Sequence, residues 1–155
     1  MDWVKQLKEI WQGKRALGQT TERAAALPVT GSLFTVSGGR VLVTSILGEI
    51  TAALDGNATS SKLVATPTVG TPRDMCAATD IASYALGDEL GISGLNTDDL
   101  APPATSSSIE GQTVPVLVKA GTIGLNVAAG GQVTGRVRWT IKWIPYDPGA
   151  SVQAA

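Results

Sequence analysis

The sequence predicts a mainly β fold: an antiparallel, jelly-roll-like β-sandwich preceded by an amphipathic helix. Three observations predict it. First, in residues 134–146 (TGRVRWTIKWIPY), Val137, Trp139, Ile141 and Trp143 alternate strictly with Arg136, Arg138, Thr140 and Lys142. A two-residue period puts one set in a core and the other in water, whereas a helix would scatter both around its circumference. Second, only 16% of the 155 residues are charged, while 18 are glycine and 8 are proline. A chain short of charge and rich in Gly, Thr, Ser, Val and Ala reads as many short strands joined by turns. Third, turn signals separate the alternating runs at the spacing of a sandwich, giving roughly eight strands.

Residues 1–24 read as a helical arm. Trp3, Leu7, Ile10 and Trp11 recur at helical spacing with Lys5, Lys8 and Glu9 between them, and Gly13 and Gly18 weaken the helix beyond. The arm carries five basic and three acidic residues, against seven and ten in the rest of the chain. So short a helix cannot stand alone in water, and its tryptophan stripe has to be covered. The plain reading packs it on its own domain. The functional reading docks Trp3, Leu7, Ile10 and Trp11 on an assembly partner. A membrane is disfavoured by the small basic face and the short stripe.

Residues 25–147 read as the sandwich domain. A strand over 27–36 starts with Pro28, where a missing amide does least harm. Ser37-Gly38-Gly39 turns it into a second strand, 40–51, to make a hairpin, with Gly48 marking a bulge or a close crossing. Asp55-Gly56-Asn57 is the next turn. A short strand over 62–66 ends at Pro67, and 66–72 is a loop or exposed edge. The alternation of Met75, Ala77, Thr79 and Ile81 favours a strand over 76–82, followed by a turn near 87–89 and a strand over 90–95. Residues 96–112, with Pro102-Pro103 and a serine run, form a long loop of the kind that serves as an interaction surface. Strands over 113–119 and 122–129 then lead to the spine strand. Residues 148–155 read as a flexible tail, solvated or bound to a partner.

No constellation names a reaction. Histidine is absent, which removes the commonest general base and metal ligand. Cys76 is alone, so it forms no intrachain disulfide and reads as a small buried hydrophobe. Asp88-Glu89 and Asp98-Asp99 are adjacent pairs that read as turn acids capping or solvating the backbone. Asn96, Asp98 and Asp99 fall short of a calcium loop. The glycine pairs lack the lysine and helix of a phosphate loop, and Ser106 to Ser108 have no histidine to activate them. The reading is a protein without catalytic residues, metal or cofactor, and not an enzyme. A net charge of −1 gives no general attraction to nucleic acid. No apolar run reaches the length of a membrane span, and the first residues lack a secretory apolar segment, so a soluble protein is expected. The ladder Arg136, Arg138 and Lys142 is, plainly read, a solvated outer face. Its functional reading is a contact between subunits, with the acidic turn at Asp98 and Asp99 as partner.

The runs LPVTGSLFTVSGGRVLVTSILGEIT (27–51) and VPVLVKAGTIGLNVAAGGQ (114–132), with the tryptophan-bearing last strand, are similar to small β-rich virion proteins of tailed bacteriophages. The resemblance spans most of 27–146 and includes no catalytic motif; the tryptophan-rich helix has no counterpart in it. It implies a structural virion component assembled in the host cytoplasm, foremost a capsid decoration (cement) protein. It further implies partners: copies of itself, often as a homotrimer, and the major capsid protein, with no nucleic acid and no membrane. The alternatives are a tail or fibre component, or a module that binds carbohydrate on a host surface.

Overall fold

The computed structural model describes residues 3–11, 18–100, 111–128 and 131–155. Among them is one helix, α1 (Trp3–Trp11). The strands are β1 (Gln19–Ala26), β2 (Gly31–Ser37), β3 (Val41–Ala52), β4 (Ser60–Pro67), β5 (Arg73–Asp74), β6 (Thr79–Asp80), β7 (Glu89–Gly91), β8 (Val116–Val118), β9 (Gly121–Val127), β10 (Arg136–Pro145) and β11 (Ser151–Ala154). They form two antiparallel sheets. The first runs β1-β10-β3-β7, with β8 also on β3; the second runs β11-β2-β9-β4-β5, with β6 also on β4. From β1 to β4, and again from β8 to β11, every connection leaves one sheet and enters the other.

The spine strand is the interior member of the first sheet, between β1 and β3. Its alternation is realised: Val137, Trp139, Ile141 and Trp143 are buried, while Arg136 and Lys142 are exposed. Facing them from the second sheet are Phe34 and Val36 of β2, Leu63 of β4, Ile123 and Leu125 of β9 and Val152 of β11, all in one core. Each buried indole removes roughly 150–250 Å² from water, a gross gain of about 4–6 kcal/mol. Gly48 makes room for one of them. A Cβ there would lie 2.9 Å from Cζ3 of Trp139, so the sequence signal marks a close crossing. The register steps of β10 against β3 fall elsewhere, between Arg136 and Val137 and between Lys142 and Trp143.

Several expectations are corrected. The 27–51 hairpin does not form: β2 pairs with β9 and β11, while β3 pairs with β10, β7 and β8. Gly38 and Gly39, at φ 73° and 135°, carry the chain across the core instead of closing a ladder. Both strands have an apolar face, and lying in opposite sheets lets each cover the other. The strand expected over 76–82 shrinks to Thr79–Asp80. Local side-chain bonds take over there. The Asp80 carboxylate accepts the N–H groups of Thr59 and Ala82, and Cys76 Sγ accepts that of Leu63 at 3.2 Å. Ser83 then leaves the extended region at φ 62°.

Both ends of the chain also differ. Within the expected arm, residues 19–24 belong to β1 and pair with β10. The expected tail contains β11, which pairs with β2 and buries Val152. Each of these segments is too short and too polar to announce itself. Each is ordered by backbone groups that β10 and β2 would otherwise leave unpaired. A side-chain relay joins these two edges: Trp143 Nε1 donates to Thr21 Oγ1 at 3.1 Å, and Thr21 Oγ1 donates to the Val152 carbonyl at 3.1 Å. The remaining expected strands match in place: β4 is longer than the expected 62–66, β7 and β8 are shorter than 90–95 and 113–119, and β5 is an addition.

The β2–β3 turn is tied to the β10–β11 turn by Arg40. Its guanidinium donates twice to Asp147 at 2.8 Å and its own N–H donates there too, while the guanidinium carbon sits 4.7 Å from the Tyr146 ring centre. Those bonds hold the Asp147 carboxyl down at about 2.

Two outcomes follow. Gly48→Val should drive a branched side chain into the Trp139 ring and lower stability by about 1–3 kcal/mol in urea unfolding. Asp147 is depressed below its unfolded value of about 3.9, so its contribution is complete above that value and disappears as pH falls towards 2. The Tm gap between the wild type and Arg40→Ala should therefore be full at pH 5 and narrow as pH falls below about 4, the ion-pair part closing only as pH passes through about 2.

Candidate functional site

The residues singled out by sequence do not converge on one place. In α1, Trp3 is 67% and Leu7 50% exposed, with Val4 beside them at 56%. Ile10 and Trp11 lie in the same helix, but their side chains fall outside the described residues. Lys5, on the opposite side of the helix, has its Nζ 3.7 Å from where a Cβ on Gly149 would stand.

The basic ladder lies on the outer face of the first sheet. Arg138 is half-buried and pairs across the strands with Glu49 of β3, a bond that raises the guanidinium further above its ordinary value. Arg136 and Lys142 stay exposed. A half-exposed pair of this kind contributes little to stability. Asp98 and Asp99 sit in the turn after Leu95. Asp98 accepts the Ser93 hydroxyl at 2.6 Å, and its carbonyl accepts the Ala77 N–H at 2.7 Å. Asp99 bridges Ala77 through the backbone. The Asp98 carboxylate therefore holds its own turn, and Arg138 answers to Glu49. Among the described residues, no bond joins the ladder to this turn.

Turn acids do the same work elsewhere. Asp55 accepts the N–H groups of Asn57, Val133 and Thr134 at 2.9, 2.6 and 3.0 Å, which pulls its carboxyl below the usual range. It thereby clamps the β3–β4 turn to the β9–β10 turn. The buried Gln132 donates to Asn57 O and Thr59 Oγ1 in the same clamp. Burial pushes the Cys76 thiol up to about 11, which keeps it protonated and a poor nucleophile. Among the described residues, no three His, Cys, Asp or Glu side chains are grouped to hold a metal ion. No described helix is long and apolar enough to cross a membrane.

A concavity lies beside the 66–72 edge and the start of the 96–112 loop, where sequence reasoning named no site residue. A groove of about 470 Å³ opens between the β8 edge of the first sheet and the β4–β5 edge of the second. Met75, Val116 and Val118 contribute to its lining, as do the partly exposed Leu95, Val114 and Leu117. Arg73, Asp74 and Lys119 supply its charged groups, and Asp74 pairs with Lys62 at 2.7 Å. The volume lies in the roughly 300–1,000 Å³ range of ligand pockets. Its signal in the sequence was the run VPVLV at 114–118, apolar on both sides of a strand.

The chain matches no known protein family, curated protein or solved structure in the comparisons made.

The described apolar surface thus includes Trp3 and Leu7 on α1 and the groove at the far sheet edge. A soluble quencher should tell them from the core. In the isolated chain, acrylamide should reach Trp3, while Trp139 and Trp143, at 1% and 3% exposure, stay protected. Full quenching of all the tryptophans in the folded chain would contradict the packing described.

Proposed function

We propose that this chain is a structural protein of a tailed-phage virion, foremost a capsid decoration protein that contacts copies of itself and the major capsid protein through its N-terminal arm and loops. The observation that carries the reading is the strand order. The order β1-β10-β3-β7 facing β11-β2-β9-β4-β5 supports a jelly-roll reading, an architecture shared by viral capsid and lectin domains. Fold alone hosts many functions, so the surface has to supply the rest.

Two features of the surface support the reading. The amphipathic helix α1 turns Trp3 and Leu7 outward, a large apolar area for a solvent-facing helix and suited to being covered on assembly. The described polar side chains hold turns and strand edges, as Asp55, Asp98 and Asp147 do. In a repeating lattice, modest contacts of this kind multiply through effective concentration. A carbohydrate-binding module would offer aromatic rings along an outer sheet face. The outer face of β10 offers Arg136, Arg138, Thr140 and Lys142 instead.

Gradient-purified particles of the phage that encodes the chain test this reading. Quantitative mass spectrometry should find it there in a fixed ratio to the major capsid protein. Replacing Trp3 and Trp11 by Ala should release it from the particles without changing its far-ultraviolet circular dichroism. A chain abundant in the lysate but absent from the particles would sink the reading.

A further inference from the structure

We infer that the cavity behind the β1–β2 connection binds a small aliphatic monocarboxylate, its carboxylate on the Arg23 guanidinium and its apolar body against Trp139. The inference stands apart from the virion reading, since it concerns a ligand of the isolated chain.

Arg23 lies directly opposite Trp139 in the β1–β10 ladder, and residues so paired share a face of the sheet. Trp139 is buried in the core, so the Arg23 side chain belongs to the inner face. Two residues earlier, the Thr21 hydroxyl already reaches the opposite sheet at Val152. The Nε of Arg23 is buried there and has no hydrogen-bond partner. Among the described residues, ion pairs form at Arg40, Lys62 and Arg138, and none at Arg23. A covered, unpaired donor on a cationic group is costly, and these residues supply no partner for it.

Space for a partner adjoins it. Arg23 borders a cavity of about 220 Å³, in which Trp139, Leu33 and Leu125 form an apolar wall. Residues 27–30, which cross from β1 to β2, contribute to the lining. The ladder steps between Arg23 and Ala26, an irregularity of the kind that re-aims a side chain. An inward charge on an edge strand also discourages strand addition by other chains. That role alone calls for no cavity beside the guanidinium.

The lining selects the class of ligand. Among the described residues, no Asp or Glu borders the cavity, so its charged group is a cation and its occupant an anion. Thr30 Oγ1 is already engaged with Val127, accepting the N–H at 2.9 Å and donating to the carbonyl at 3.2 Å. Ser32 supplies the other hydroxyl. One guanidinium and one hydroxyl suit a carboxylate, which arginine binds through two parallel bonds. Phosphate carries more charge and wants more donors. The volume equals that of roughly seven waters, too little for a drug-sized molecule and ample for a chain of about four carbons.

Nuclear magnetic resonance of the full-length chain tests this, with sodium butyrate as the probe at constant ionic strength. The Arg23 Nε–H and Trp139 indole resonances should shift along a saturating curve with a Kd on the order of 1 mM, and Tm should rise with butyrate. Arg23→Gln should weaken the affinity about tenfold or more, as loss of a charged donor does. Ala26→Leu keeps the charge, fills the cavity and should abolish the Trp139 shift. Circular dichroism and Tm close to wild type show that each variant is folded. The wild type also decides without them: n-butanol, which lacks the carboxylate, and sodium phosphate should leave both resonances in place. Equal shifts with butanol would mark a plain apolar cavity, and equal shifts with phosphate an unselective anion site. The absence of a saturable shift with butyrate would mark a cavity that holds water alone. Each of these overturns the inference, as does butyrate binding left unchanged by Arg23→Gln.

Discussion

The fold depends on the contact of one ring with one glycine. Trp139 lies on the inner face of β10, opposite Gly48 of β3, and its ring takes the space that a side chain at 48 would need. That contact lets the two longest strands of the first sheet lie side by side with an indole buried between the sheets. Val137, Ile141 and Trp143 follow from it, because in a strand one inward residue fixes the direction of all the others. A slip of one residue would turn Arg138 and Lys142 into the core, which no partner on the inner face could compensate.

With the spine strand placed, the remaining problem is the chain's repeated crossing from sheet to sheet. Crossings leave turns stacked at the ends of the sandwich, where backbone groups have no ladder. Carboxylates close them. Asp55 gathers three N–H groups from two turns, Asp147 locks Arg40, and Asp80 and Asp98 hold the irregular stretch between β4 and β8. This is why a chain with so few charges still places several of its acids in short, directed bonds. The hydrogen bonds received by Asp147, Asp55 and Asp80 hold these three carboxyls below the usual range.

The two edges of the first sheet are treated differently. At β1, the Trp143–Thr21–Val152 relay stitches the edge to β11 of the opposite sheet and closes the sandwich. At β8, the strand is three residues long, Pro115 precedes it, and the sheets part to leave the groove.

The mainly β character, the inner and outer faces of β10, the turn at Asp55 and the tight place at Gly48 were legible in the sequence, because alternation and glycine act locally. Strand partners were not. Gly38-Gly39 is as compatible with a hairpin as with a crossing, and only the need of two apolar faces to cover each other put β2 and β3 in opposite sheets. β1 and β11 escaped notice because QTTERAAA and SVQA carry no apolar pattern, and tertiary pairing with a stronger strand orders them. The groove escaped for a related reason: an apolar run on a strand reads as core until the fold shows Val114 and Leu117 partly exposed. Local periodicity thus determined which residues seek burial; which surfaces meet, and which stay open, was decided by long-range packing that a one-dimensional pattern does not contain.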